Sequence, residues 1–469
     1  MSFSRLRTIL AFLLLLLLPW HRHADAYSLL THEQLIDLTW QDSIVPLLLS
    51  HYPNLTPARL EEARAYAYGG CVIQDIGYYP FGDPSFSNLT HYVRTGDFIV
   101  SLFRNAGNAD ELAFAVGALS HYIGDSIGHA QATNRAVPIQ FPKLGAKYGR
   151  IVNYAQGEHQ HVQIEFAFDI DEIAHHRVAP LKFLRHIGIR VPVRQLALAY
   201  YQTYGLTEDF TATRGHRFNM SGYSFATRNF IPHVAYALTY LHRGDEPPEP
   251  PTPERLLMDK EVARIAAENN WQAYRGKAGF ETHFLAGLIV IAPKFGPLAM
   301  VAIKDPTQAT EADYLHSVVL STAALRQRLA RFTPSANTGS TTANAVSPGT
   351  SSQPPPAQPP RPSQNSRHPL PNRDLDTGQV VQPGGYPLTD ATYADLLHRL
   401  TRTPAQPIPP GVKEDIQAYY ANLDLPITTK KNPAAWAQVQ ADLVTLAAMP
   451  TSTEPEPYPT YGEDPDSPQ

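Results

Sequence analysis

His121-Tyr-Ile-Gly-Asp125-Ser-Ile-Gly-His129 is the stretch on which the reading of this chain turns. An α-helix advances about 100° per residue, so residues four and eight positions on return to nearly the same face. Two imidazoles and one carboxylate would then project together from one helix, within about 80° of one another. Zinc takes nitrogen and oxygen ligands in a compact shell, so this spacing suits a zinc site. With 19 His and 43 acidic residues in 469 positions, chance supplies ~1.7 His-x-x-x-acid pairs, but only roughly 0.07 with a further His four residues on.

Outward from that helix, the flanking sequence is helical in pattern. Pro57–Tyr68, Asp110–Ile127, Tyr154–Ala174 and Val193–Tyr204 carry apolar residues three and four apart. Alternation of β-branched residues is scarce, which predicts an all-α domain over residues 27–243. A Pro-rich strap, Glu246–Pro253, leads to a helical extension over 255–332, in which the apolar run Phe284–Ala292 is too short to span a bilayer and reads as a buried helix. Residues 333–386 are rich in Pro, Ser, Thr, Gln and Asn and are expected to form a disordered linker. Helical patterning returns in a small unit over 387–450, and residues 451–469 read as an acidic, flexible tail.

The composition narrows the function. A net charge of −5 and a charged fraction of 17% give no basic surplus for wrapping nucleic acid. The single cysteine, Cys71, allows no internal disulfide, so core packing must stabilise the chain, with bound metal a candidate further contributor. Arg5 and Arg7, the apolar run Ile9–Leu18, and Ala24-Asp25-Ala26 have the form of a cleaved signal peptide over residues 1–26. The expectation is a secreted or periplasmic protein.

Other candidate ligands share the same predicted domain. His161-Val-Gln-Ile-Glu165 repeats the His-x-x-x-acid spacing, and only His161, not His159, has the acid four residues on. Asp75 follows Gly69-Gly-Cys-Val-Ile-Gln, His91 lies in Asn88-Leu-Thr-His-Tyr, and His32 closes Tyr27-Ser-Leu-Leu-Thr-His. A set made only of His nitrogens and carboxylate oxygens suits a hydrolytic zinc site. His175 and His176, with acids four residues upstream, read instead as a solvated helix face.

Taken as an ordered series, these residues resemble the zinc-dependent phospholipase C enzymes of bacteria, related to fungal single-strand-specific zinc nucleases. The resemblance covers Tyr27 to about Arg243. It implies an all-helical, secreted phosphodiesterase with three zinc ions. Asp75, His91, His121 and Asp125 would hold the first, and His129, His161 and Glu165 the second. Tyr27, exposed as a new N-terminus by cleavage after Ala26, would hold the third with His32 and the bridging Asp125. The family commonly begins with Trp and places five residues between the helix aspartate and the next histidine. This chain has Tyr27 and only three, Ser126 to Gly128.

Two zinc ions sharing Asp125 would lower the pKa of a shared water and supply hydroxide to attack a phosphodiester. Asp75 would act as a ligand, or as a base orienting that nucleophile. The expected substrate is a phospholipid, met in transient contact with a membrane surface by a monomeric enzyme. Two rival readings follow from the same residues. One is a nuclease using Tyr78, Tyr79, Phe81 and Tyr92 as base-stacking platforms. The other is a non-catalytic, metal-stabilised surface-binding protein.

Overall fold

Helix after helix packs around a single nearly buried one, Ala109–Gly128. The computed structural model describes residues 29–78, 82–207, 227, 231–241, 249–275, 303–332 and 370–452. Residues 1–26, read above as a signal peptide, Tyr27, the apolar run 284–292, residues 333–369 and the tail from 453 onward lie outside the described residues. Among the described residues there are helices and no strands, as the helical periodicity predicts.

The first half supplies α1 (Leu29–Thr39), α2 (Pro57–Gly70), α3 (Pro84–Tyr92), α4 (Thr95–Arg104), α5 (Ala109–Gly128) and α6 (Tyr154–Ala174). Several have local start signals. The Thr56 side chain accepts from the Arg59 N–H ahead of Pro57, and Asn108 accepts from the N–H groups of Asp110 and Glu111. Each cap satisfies an amide that a helix start leaves unpaired, and Asp110 and Glu111 add negative charge where the helix dipole favours it.

Small residues let α5 sit at the centre. A Cβ at Gly117 would lie 2.2 Å from the Ala67 carbonyl oxygen of α2. The two helices therefore meet backbone to backbone, leaving the larger Phe114, Leu112 and Leu119 to fill the surrounding core.

The second half wraps the first. Helix α7 (Val193–Tyr204) packs on α4, α8 (Ile231–Leu241) on α6, and α9 (Pro253–Glu268) on α10 (Gln308–Phe332). Helix α10 lies along both α5 and α1; Tyr314 stacks on Phe168 at 4.5 Å and its hydroxyl is 2.9 Å from Thr31 Oγ1. The 255–332 segment thus contributes to the core that holds α1. The C-terminal helices α11 (Pro387–Thr401) and α12 (Pro433–Ala448) pack on each other, and α11 also rests on α3.

One expectation needs correction. Residues 370–386, read from composition as the end of a disordered linker, are folded against the first half of the chain. Leu370, Asp374, Leu375, Asp376 and Tyr386 are buried, and Thr95 both donates to the Arg373 carbonyl and accepts from the Arg373 N–H. Low hydrophobicity argued for disorder, but a few buried side chains and a dense set of hydrogen bonds suffice to order a short turn on a preformed surface.

Candidate metal centre

Five elements deliver the candidate ligands: α1 carries His32, a 3₁₀ turn (Ile73–Gly77) carries Asp75, α3 carries His91, α5 carries His121 and Asp125, and α6 carries His161 and Glu165. His129 begins a π-helical turn, His129–Thr133, that continues α5. None of these eight side chains is more than 2% exposed. Tyr27 lies outside the described residues.

They converge as three sets whose donor atoms lie within 4.8 Å of one another: His32, His121 and Asp125; Asp75, His91 and His121; and His129, His161 and Glu165. Asp125 joins the first two. Its Oδ1 is 3.3 Å from His32 Nε2, and its Oδ2 is 3.0 Å from His121 Nε2 and 3.4 Å from His91 Nε2. Asp75 Oδ1 lies 3.2 Å from His91 Nε2 and 3.8 Å from His121 Nε2. In the third set Glu165 Oε1 is 2.7 Å from His161 Nε2 and 3.4 Å from His129 Nε2.

The hydrogen bonds behind the rings say what the front faces carry. His91 Nδ1 is 2.7 Å from the Ser87 carbonyl oxygen, His121 Nδ1 is 2.9 Å from that of Cys71, and His129 Nδ1 is 2.8 Å from that of Leu375. A carbonyl only accepts, so each Nδ1 is the donor, and in the neutral ring each Nε2 presents a lone pair. His91 Nε2 and His121 Nε2 are 3.3 Å apart. Two lone pairs so close, beside two carboxylates, need a cation. The Nε2 atoms of His129 and His161 carry no hydrogen bond, a cost that buried polar groups seldom bear without a ligand.

Burial and the neighbouring charges act in opposite senses on these groups. Burial alone would raise the Asp125 carboxyl, but His121 beside it holds it well below the usual carboxylate range. Burial would likewise raise Asp75, which His121 and His91 hold low. Burial would lower His91 and His121; hydrogen bonds to Asp125 and Asp75 lift His91 well up, and the charges of the same two carboxylates raise His121. Burial, then the neighbouring His121, depresses His32; burial, then His129, drives His161 well down. A neutral imidazole beside an ionised carboxylate is the form that binds zinc.

Two features were not legible in the sequence. Asp169, one turn beyond Glu165, accepts from the Leu30 and Thr31 N–H groups at 2.9 and 3.0 Å and from the Thr31 hydroxyl at 2.7 Å. It clamps the start of α1 and so places His32. Only its spacing of four from Glu165 hinted at this. The Leu375 carbonyl, which orients His129, left no sequence signal at all.

His175 departs from expectation. With Asp171 and Glu311 it forms a further set of possible ligands, and Asp171 and Glu172 are buried rather than solvated. The Arg177 guanidinium already serves this group, with Nη2 3.2 Å from Asp171 and 2.9 Å from Glu311 and Nε 2.8 Å from Glu172. It is an ion-paired hub, not a metal site. The choice of His161 over His159 agrees with burial, since His159 is exposed and His161 is not. Cys71 is buried and offers its carbonyl to His121. Of the aromatic platform candidates, Tyr79 and Phe81 lie outside the described residues, and Tyr92 is buried with its hydroxyl donated to Asp376 at 3.0 Å.

Residues 31–207 match the family model described as zinc dependent phospholipase C. The matched segment contains His32, Asp75, His91, His121, Asp125, His129, His161 and Glu165 and ends before α8. No curated protein and no solved structure gives a match.

Proposed function

We propose that this protein is a zinc-dependent phosphodiesterase of the phospholipase C type, cleaving a phospholipid between glycerol and phosphate. The observation that carries the reading is Asp125, whose two carboxylate oxygens face two different histidine sets, Oδ1 towards His32 and Oδ2 towards His91 and His121. That is the arrangement of a carboxylate shared between two cations. When bound, zinc would supply Lewis-acid polarisation of a phosphoryl oxygen and a lowered pKa for water.

The chain's residues do the rest. Asp75, His91, His121 and Asp125 would hold one ion, His129, His161 and Glu165 a second, and His32 with Asp125 a third, completed by Tyr27 if the leader is removed. Asp75, kept ionised by its histidine neighbours, would also accept a hydrogen bond from the attacking water and so orient it. The apolar core packed behind the ligand helices excludes bulk water, which strengthens the ligands' hold on developing charge. Export of the mature protein, transient contact with a lipid surface and a monomeric state belong to the same proposal.

The test uses the full chain stripped with a chelator and reloaded with zinc. Turnover of p-nitrophenyl phosphorylcholine and of phosphatidylcholine vesicles should vanish on stripping and return on reloading. Hydrolysis of single-stranded DNA alone would overturn this in favour of the nuclease. Zinc that raises the melting temperature without turnover of any substrate would make the protein a metal-stabilised binding module.

A further inference from the structure

The metal centre has a contributor from outside the family-matched segment. Leu375 spans two ligand sets with its backbone: its N–H donates to the His91 carbonyl at 3.0 Å, and its carbonyl accepts from His129 Nδ1 at 2.8 Å. The next residue anchors it. Asp376 Oδ2 accepts from the Tyr92 and Tyr386 hydroxyls at 3.0 and 2.6 Å, and its carbonyl accepts from Asn134 Nδ2 at 2.7 Å. Asp376 Oδ1 stands 3.6 Å from His129 Nδ1.

The turn that presents these atoms is built for this position. Asp374 Oδ1 accepts from the Asp376 and Thr377 N–H groups at 3.0 and 3.3 Å. Gly378 has φ +68°, and a Cβ there would lie 2.2 Å from the Ser126 carbonyl oxygen. A residue other than glycine would be strained and would push the turn off α5.

We infer that the Leu375–Asp376 turn is an outer part of the metal centre, a positioning element that fixes the tautomer and ring direction of His129 and ties that ligand to His91. The inference rests on the proposed metal reading. A ring whose Nδ1–H is held by a carbonyl and flanked by a carboxylate presents a fixed, more basic Nε2 to the metal. His129 needs such help, because it stands at the head of a π turn, where the backbone leaves α-helical register. Binding of zinc and docking of residues 370–386 are then coupled, and each strengthens the other by the same factor.

The experiment compares the wild-type chain with Asp376→Asn, using zinc alone as probe. Chelator competition should show about 10- to 100-fold weaker zinc binding in the variant for the ion of the His129, His161 and Glu165 set. The visible spectrum of the cobalt-substituted protein should shift for that ion and stay constant for the others. A merely structural role would lower the melting temperature of zinc-free and zinc-loaded protein alike; the positioning role shrinks the difference between them. Should Asp376→Asn not fold, Tyr386→Phe and Tyr92→Phe remove one hydroxyl donor to Oδ2 each and should move the same readouts by smaller amounts. Unchanged affinity and cobalt spectrum in variants of a zinc-binding wild type overturn this inference alone. A wild type that binds no zinc overturns it together with the metal reading.

Discussion

His91 and His121 point their Nε2 atoms at each other across 3.3 Å, with each Nδ1 donated to a carbonyl of its own neighbourhood, Ser87 and Cys71. Neither ring can turn to relieve the approach without breaking a buried hydrogen bond. The backbone hydrogen bonds of the fold therefore set the pair's spacing and hold their lone pairs ready for a cation.

Removing the shared carboxylate should dismantle this side of the centre. Asp125→Asn keeps the volume but loses the charge that faces His32, His91 and His121. We expect zinc content by elemental analysis to fall and metal-dependent turnover to drop by at least about 100-fold. Full zinc content in the variant would remove Asp125 from the ligand set.

The clamp on α1 should matter to both stability and metal. Asp169→Ala leaves the Leu30 and Thr31 N–H groups without their acceptor, and loss of such a cap costs about 1–2 kcal/mol. Urea denaturation should show that loss, and zinc affinity should fall because His32 rides on the loosened turn. Asp169→Asn, which retains an acceptor oxygen, should recover part of both.

Packing between α2 and α5 allows no side chain at Gly117. Gly117→Ala places a methyl 2.2 Å from the Ala67 carbonyl, and backbone rather than a flexible side chain must yield. The expected cost is about 1–3 kcal/mol, read as a lower denaturation midpoint at constant slope. An unchanged midpoint would show that the two helices part without penalty.

The Arg177 hub should make the zinc-free protein less stable as pH rises. Burial, and then Asp171, push the Glu311 carboxyl up to about 7 from 4.5; a hydrogen bond to Asp171 pushes His175 up to about 9 from 6.5. Both groups bind a proton more tightly when folded. The contribution of each is complete below its unfolded value and is lost as pH rises through its folded value. The melting temperature of the wild type relative to Glu311→Gln should therefore decline from about pH 4.5 to 7, and relative to His175→Gln from about pH 6.5 to 9. Glu311→Gln should flatten the lower span and His175→Gln the upper.

Much of the centre was readable because helices are periodic. His121 with Asp125, and His161 with Glu165, are four apart, and a helix brings such pairs to one face whatever surrounds it. His32, Asp75 and His91 came from ordered resemblance, and the structure brings them to Asp125 and His121. The shortened spacing to His129 is accommodated: His129 leaves the His121 face and joins His161 and Glu165. Composition misled at 370–386, where polar residues that suggested disorder are held by Thr95, Tyr92 and Asn134.

The amino-acid order determined that the chain is helical and which side chains share a helix face, because those depend on neighbours three and four residues away. Which faces meet was decided only in three dimensions. Asp169 reaching α1, Leu375 reaching His91 and His129, and Arg177 collecting carboxylates from separate helices join residues far apart in the chain, and nothing in local periodicity encodes such pairings. They depend on packing that lets backbones touch at Gly117 and Gly378, and that packing sets the distance between one histidine nitrogen and the next.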